Sequence, residues 1–347
     1  MTMGTYRPGV YAQYTVSSRY SGRRQGTRVG LVGSFGLPPQ PALTKVVLGV
    51  EQPPAGNALL GGLWDLCRRV GVGTVYAVSV PEEATVQQLE EALALLEPEE
   101  VYAVACQHYG AQQAGAAAQW AARQAAQQQE RMVFLGLADR ADALALAPQL
   151  NQERAVLTLG SPVLEEEEAG QPLYGAAALA LEVALAKDPS VSFSNLELTA
   201  LSGAAVERTT PQEWDALLEA GVSPLVGVGG QVECLRAVTT RTQSGGAADR
   251  SLYPINAILI IDYVMQQLRG TLSGLLKGGR QGTGTLSAVG SQVTVLLSEL
   301  QQRGILTGYG SPHVHTPSDD PGRCVVEVSF GVAYSINQIF VTAQVQL

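Results

Sequence analysis

With 347 residues, 46% of them hydrophobic and 15% charged, the chain is long enough for two or three domains, each with its own core. The charged fraction lies well below the usual quarter and marks a globular protein with extensive buried or interfacial surface. The net charge of −9 is unevenly spread: residues 1–50 hold no Asp or Glu but carry Arg7, Arg19, Arg23, Arg24, Arg28 and Lys45, a balance of +6 that leaves −15 on the remainder.

A basic arm on an acidic body suits either nucleic acid or the acidic body of a neighbouring copy. No recognised nucleic-acid-binding motif accompanies the arm, so the neighbouring copy is favoured, with a solvated tail as the plain alternative. No apolar run is long enough to span a bilayer, and MTMGTYRPGVY lacks the apolar stretch of a signal peptide. Membrane insertion is not expected, and the cytoplasm is the expected place of synthesis. Cys67, Cys106, Cys234 and Cys324 match no metal-ligand spacing. They read as small core residues without a disulfide framework.

In chain order, residues 8–16 alternate Val10, Ala12, Tyr14 and Val16 against Tyr11, Gln13 and Thr15, which predicts a strand opened by Pro8 and Gly9. The polar stretch 17–28 is its tether. From 29 to 205, apolar runs at 29–32, 75–80, 101–106, 132–137 and 155–159 alternate with helical stretches at 57–70, 85–96, 112–130, 141–150 and 176–187. Such alternation predicts βαβ units around a largely parallel sheet. The Ala/Gln-rich helix 112–130 reads as an outer helix anchored by Trp120, and Glu165–Glu168 as an acidic surface loop.

A second region, 206–323, opens with a helix near 210–220: Thr210, Pro211 and Glu213 have capping-box spacing, and Gly221 is its stop. A strand at 232–240, a glycine-rich break at 243–249, a long apolar helix at 255–268 and another helix at 287–303 follow. In residues 324–347, Val328, Phe330, Val332, Tyr334 and Ile336 alternate strictly. After a slip at Asn337-Gln338, Ile339, Val341, Ala343, Val345 and Leu347 resume the pattern, which predicts two strands around a bulge or bend. An apolar strand with no charged residue to guard it invites pairing with another chain. The predicted fold class is therefore an α/β body with a largely parallel sheet (29–205), an α+β C-terminal domain (206–323), and strand-like N- and C-terminal arms (1–28 and 324–347).

Motifs for chemistry are sparse. GLVGSFG (30–36) has glycine spacing reminiscent of a dinucleotide loop, but Pro38-Pro39 block the helix that the fingerprint requires. LLKGGRQGTGT (275–285) lacks the Gly-Lys-Ser/Thr ending of a phosphate loop and reads as a connection between helices. His313 and His315 fall on one side of an extended segment near Asp319 and Asp320, yet no third ligand stands on a regular element. His108 reads as a hydrogen-bonded structural residue. No Gly-x-Ser-x-Gly elbow is present. No catalytic, cofactor-binding or metal residues are expected.

Four stretches carry a family resemblance: RPGVY (7–11); RVGLVGSFGLPPQP (28–41); TPQEWDALLEAGVSPLVGVGGQVECLRAVTTRT (210–242); and the ending, with DYVMQQLRG, RGIL and VSFGVAYSINQIFVTAQV. In this order they resemble the contractile tail sheath proteins of phages and related bacterial injection particles. The resemblance implies a helical homo-polymer around a tail tube protein, with baseplate and tail-terminator proteins as further partners and no cofactor. It implies that the arms link subunits by extending a small sheet in a neighbour, with Pro8, Gly9, Val10, Tyr11, Tyr14, Ile339, Val341 and Val345 making those contacts. It also implies that part of 206–323 faces the tube, near the helix at 255–268. The alternatives are another tail or baseplate component and an α/β nucleotide-binding enzyme.

Overall fold

MVFLGL, residues 132–137, is apolar at every position because its strand is covered on both faces. Met132 and Phe134 point into one core, while Val133, Leu135 and Leu137 point into the other. The computed structural model describes residues 28–37, 44–48, 57–164, 169–202, 210–274, 283–320 and 322–335.

In chain order the first elements are β1 (Arg28–Gly33), β2 (Thr44–Leu48), α1 (Ala58–Val70), β3 (Thr74–Ser79), α2 (Val86–Ala94), β4 (Ala103–Cys106), α3 (Ala111–Ala126) and β5 (Met132–Leu137). There follow α4 (Arg140–Leu150), β6 (Ala155–Leu159), β7 (Val163–Leu164), α5 (Pro172–Leu185), β8 (Ser194–Ser202), α6 (Pro211–Ala220), β9 (Val222–Val228) and β10 (Gln231–Arg236). The last are β11 (Gln243–Ser244), β12 (Ala247–Ala248), α7 (Ile255–Ser273), α8 (Thr283–Gln302), β13 (Leu306–Tyr309), β14 (His313–His315), β15 (Val325–Glu327) and β16 (Phe330–Val332).

Ten strands form one sheet in the order β2-β3-β1-β4-β5-β6-β9-β10-β8-β7. The six from β3 to β9 run parallel. Antiparallel strands close both sides: β2 at one edge, and β10, β8 and β7 at the other. Helices α1 and α5 cover one face, α2, α3 and α4 the other. The mixed α/β class and the mostly parallel sheet agree with the sequence expectation. The sheet also crosses the boundary expected at 205/206, because β9 and β10 are inserted between β6 and β8.

Local chemistry sets these elements. Thr210 and Glu213 form the expected capping box at α6, and Glu213 also meets Arg140 of α4. Trp120 is buried, as an anchor of α3 should be, and its Nε1 donates to Glu97. Arg131 stacks on its ring and donates to the carbonyls of Leu96, Glu97 and Glu99, capping the end of α2. Burial lowers the pKa of this guanidinium. Alanines on α3 make its inner face flat enough to lie against α2 and the sheet. Gly136 serves a closer approach: a Cβ there would sit 2.0 Å from the carbonyl oxygen of Pro172, so the first turn of α5 rests on the backbone of β5.

The alternating run that begins at Val328 was expected as one strand. In the described residues only Phe330–Val332 of that run is strand, as β16 paired with β13, while β15 lies just before the run and pairs with β14. The change of partner falls at Ser329, whose carbonyl accepts from Gly310 N–H between the two pairings. Residues 336–347 lie outside the described residues.

Candidate assembly interface

In a doubly wound sheet, ligands bind where the winding reverses, at the carboxyl ends of the strands. Here that crevice lies between β1 and β4, above the glycine turn at 30–36. Its own side chains fill it. Phe35 is fully buried, and Gln107 accepts the Ser34 N–H at 2.9 Å. Ser34 Oγ shares a 2.9 Å hydrogen bond with Tyr109, whose phenol burial pushes up in pKa. Asn57, the N-cap of α1, donates to the Phe35 carbonyl. The N-terminus of α1, where a phosphate would dock, is thus tied back to the turn. His108 lies beside this group; its Nδ1 is buried and has no hydrogen-bond partner among the described residues. Burial lowers its pKa.

The opposite, amino ends of the strands carry a buried ionic cluster that the sequence reading missed. Arg154, just before β6, donates to both oxygens of Asp262 on α7 at 2.9 and 2.5 Å. Tyr102, just before β4, donates to the same carboxylate. Burial pushes the Asp262 carboxyl up, and Arg154 opposes that shift. The signal in the sequence was a single Asp inside the longest apolar helix.

This cluster bears on the expectation that the helix at 255–268 lies near a tube. Ile255, Ile258, Ile261, Val264 and Leu268 are all buried in the chain's own core. Most of the apolar surface of α7 is consumed in folding, with Tyr263 and Leu272 only partly buried. Among the described residues Val295 on α8 is the most exposed large apolar side chain, with Val228, Tyr334 and Val191 behind it.

The C-terminal region presents two small two-stranded sheets, β13–β16 and β14–β15. Each is three or four residues long, and such ribbons are marginal without further strands or packing. Phe330 and Val332 turn inward onto the core, while Thr307 is exposed. Among the described residues each ribbon has an unpaired outer edge, the feature that accepts an added strand.

The HVH motif lies on β14. Glu327 stands directly across from His313 on β15, and His313 Nδ1 lies 3.0 Å from its carboxylate. This partner was missed because it is brought in by strand pairing from a distant position. Asp319 instead pairs with Arg323, and Asp320 accepts from the Gly322 N–H. Residues 275–282 of the glycine-rich connection lie outside the described residues. So do all the expected arm contacts: Pro8, Gly9, Val10, Tyr11, Tyr14, Ile339, Val341 and Val345.

No family model matches the chain, and neither does any curated protein. Solved structures do. A chain in the baseplate of the anti-feeding prophage superposes with a TM-score of 0.70 at 15% identity, covering 99% of this chain and 100% of that one. The anti-feeding prophage helical sheath in its contracted state gives 0.67 at 16% identity, covering 97% and 98%. The sheath tail protein of Desulfitobacterium hafniense gives 0.65 at 12% identity, covering 93% and 100%. The chain has the contractile tail sheath fold.

Proposed function

We propose that this chain is the structural subunit of a contractile tail sheath. It polymerises helically around a tail tube, and contraction of the polymer drives the tube through a target envelope. The observation that carries this reading is the end-to-end likeness to a contracted helical sheath, covering 97% of this chain and 98% of that one. Its partners are further copies of itself, the tail tube protein, and baseplate and tail-terminator proteins. Its place is a phage tail or tail-like particle, assembled in the cytoplasm of a host bacterium. The described helices include none long and apolar enough to cross a membrane.

The subunit is a mechanical part and not an enzyme, a reading supported by the crevice that Phe35, Gln107 and Tyr109 fill. Its work comes from new body-to-body contacts in the contracted state, without nucleotide hydrolysis. Copies are joined by β-augmentation: the N-terminal arm, 1–28, and the C-terminal residues 336–347 extend the small C-terminal sheets of neighbours, while 325–332 stay in the chain's own ribbons. The open ribbon edges support this arrangement.

Negative-stain electron microscopy of the purified chain tests the proposal. Hollow helical tubes are the expected outcome. A second reading, a baseplate component, draws on the likeness to a baseplate chain; closed rings that never stack would favour it. A monomer that stays dispersed even with a tail tube present would overturn both.

A further inference from the structure

The pleat of the β14–β15 ribbon sorts its side chains by face. Residues directly opposite in an antiparallel pair point the same way, and successive residues point oppositely. Val314 and Val326, paired across the ribbon, turn inward: Val314 approaches Gly290 of α8, and Val326 packs against the core. His313, His315 and Glu327 are therefore gathered on the outer face. One ligand atom from each lies within 4.8 Å of the other two, and the two imidazoles stand 4.9 Å apart, tilted by 31°. Nδ1 of His315 is sealed from solvent and has no hydrogen-bond partner among the described residues.

We propose that His313, His315 and Glu327 bind a divalent transition-metal ion, with Zn²⁺ as the representative ion. Two imidazoles and a carboxylate suit zinc and its neighbours, whereas calcium and magnesium take oxygen ligands. Bond lengths of about 2.0–2.2 Å place tetrahedral ligand atoms roughly 3.5 Å apart. His313 and Glu327 are exposed and can turn toward the half-buried His315 to close the present separation. Three protein ligands leave a fourth position for water. Bound there, the ion takes over the carboxylate that His313 now contacts. It clips together the two three-residue strands and closes the loop at 316–324. The inference rests on the ribbon alone and stands apart from the sheath assignment.

The test uses the full chain without an affinity tag. Zn²⁺ is titrated against a chromophoric chelator, and Co²⁺ is used to read coordination from its visible spectrum. One ion per chain is expected. His315→Ala and Glu327→Gln should each weaken binding by at least about tenfold. Cys324→Ser, which removes the exposed neighbouring thiol, should leave it unchanged. Hydrogen exchange at 313–315 and 325–327 should slow when Zn²⁺ is added. Wild-type binding no tighter than that of a His313→Ala/His315→Ala double variant would overturn the proposal. So would loss of binding in Cys324→Ser, or one ion shared between two chains in sedimentation.

Discussion

Arg154 and Asp262, more than a hundred residues apart in sequence, meet as a two-pronged ion pair sealed from water, with side-chain exposures of 1% and 0%. The pair fastens α7 to the amino ends of β4 and β6, with Tyr102 as the third member. Such a cluster adds little net stability over apolar residues of the same shape. Breaking it from one side is costly, because the remaining charge is stranded.

Asp262→Ala is therefore expected to cost about 3–5 kcal/mol in urea unfolding. Tyr102→Phe should cost only about 1–2 kcal/mol, since it removes one hydrogen bond to a carboxylate that Arg154 still holds. An Arg154→Met/Asp262→Leu double variant should recover most of the loss. A double variant as unstable as the sum of the single ones would show that the pair is not coupled.

Two glycines should respond in opposite directions. At Gly136 a Cβ would collide with the Pro172 carbonyl, a backbone atom that cannot rotate away. Gly136→Val is expected to leave little folded protein. Gly61, inside α1, has open space where a Cβ would go, and Gly61→Ala should raise stability by about 0.5–1 kcal/mol. Thermal melts of the two variants side by side check this.

Thiol labelling of the native chain should count one reactive cysteine of the four. Burial pushes Cys67, Cys106 and Cys234 up to about 12 and closes them to reagent, whereas Cys324 is exposed. Denaturant should bring the count to four. A native count of two or more would contradict the burial of these strands and of α1.

Assembly offers a fourth test. Deleting residues 1–16, or separately 336–347, should abolish polymers while circular dichroism of the body stays unchanged. Raising ionic strength from roughly 50 to 300 mM should slow early assembly, given the +6 balance of residues 1–50. Normal tubes from either truncated chain would sink the arm-exchange model.

Elements with a strong local signature were legible in the sequence. β5 and β6 occupy the expected residues, and the α6 capping box forms as read. α3 ends earlier than expected, at Ala126, because helix propensity alone does not register the turn at Gln128, where φ is +66°. α5 starts earlier, at Pro172, a first-turn proline that was not read as a start signal. What stayed hidden was long-range. The insertion of β9 and β10 into the first sheet, the Arg154–Asp262 pair and the Glu327 partner of His313 all depend on pairings between distant segments. Periodicity reports which way a side chain points along its own element, and is silent on what arrives opposite.

The place of β9 in the sheet also has a consequence during synthesis. One side of β6 is covered by β5, made earlier, but the other waits for β9, about sixty residues further on. At roughly 5–20 residues per second, the interval is about 3–12 s on the ribosome. Throughout it the growing chain displays AVLTL, apolar and uncharged, with a row of unpaired backbone groups facing out. Each nascent chain then carries an open strand edge until β9 arrives to cover it.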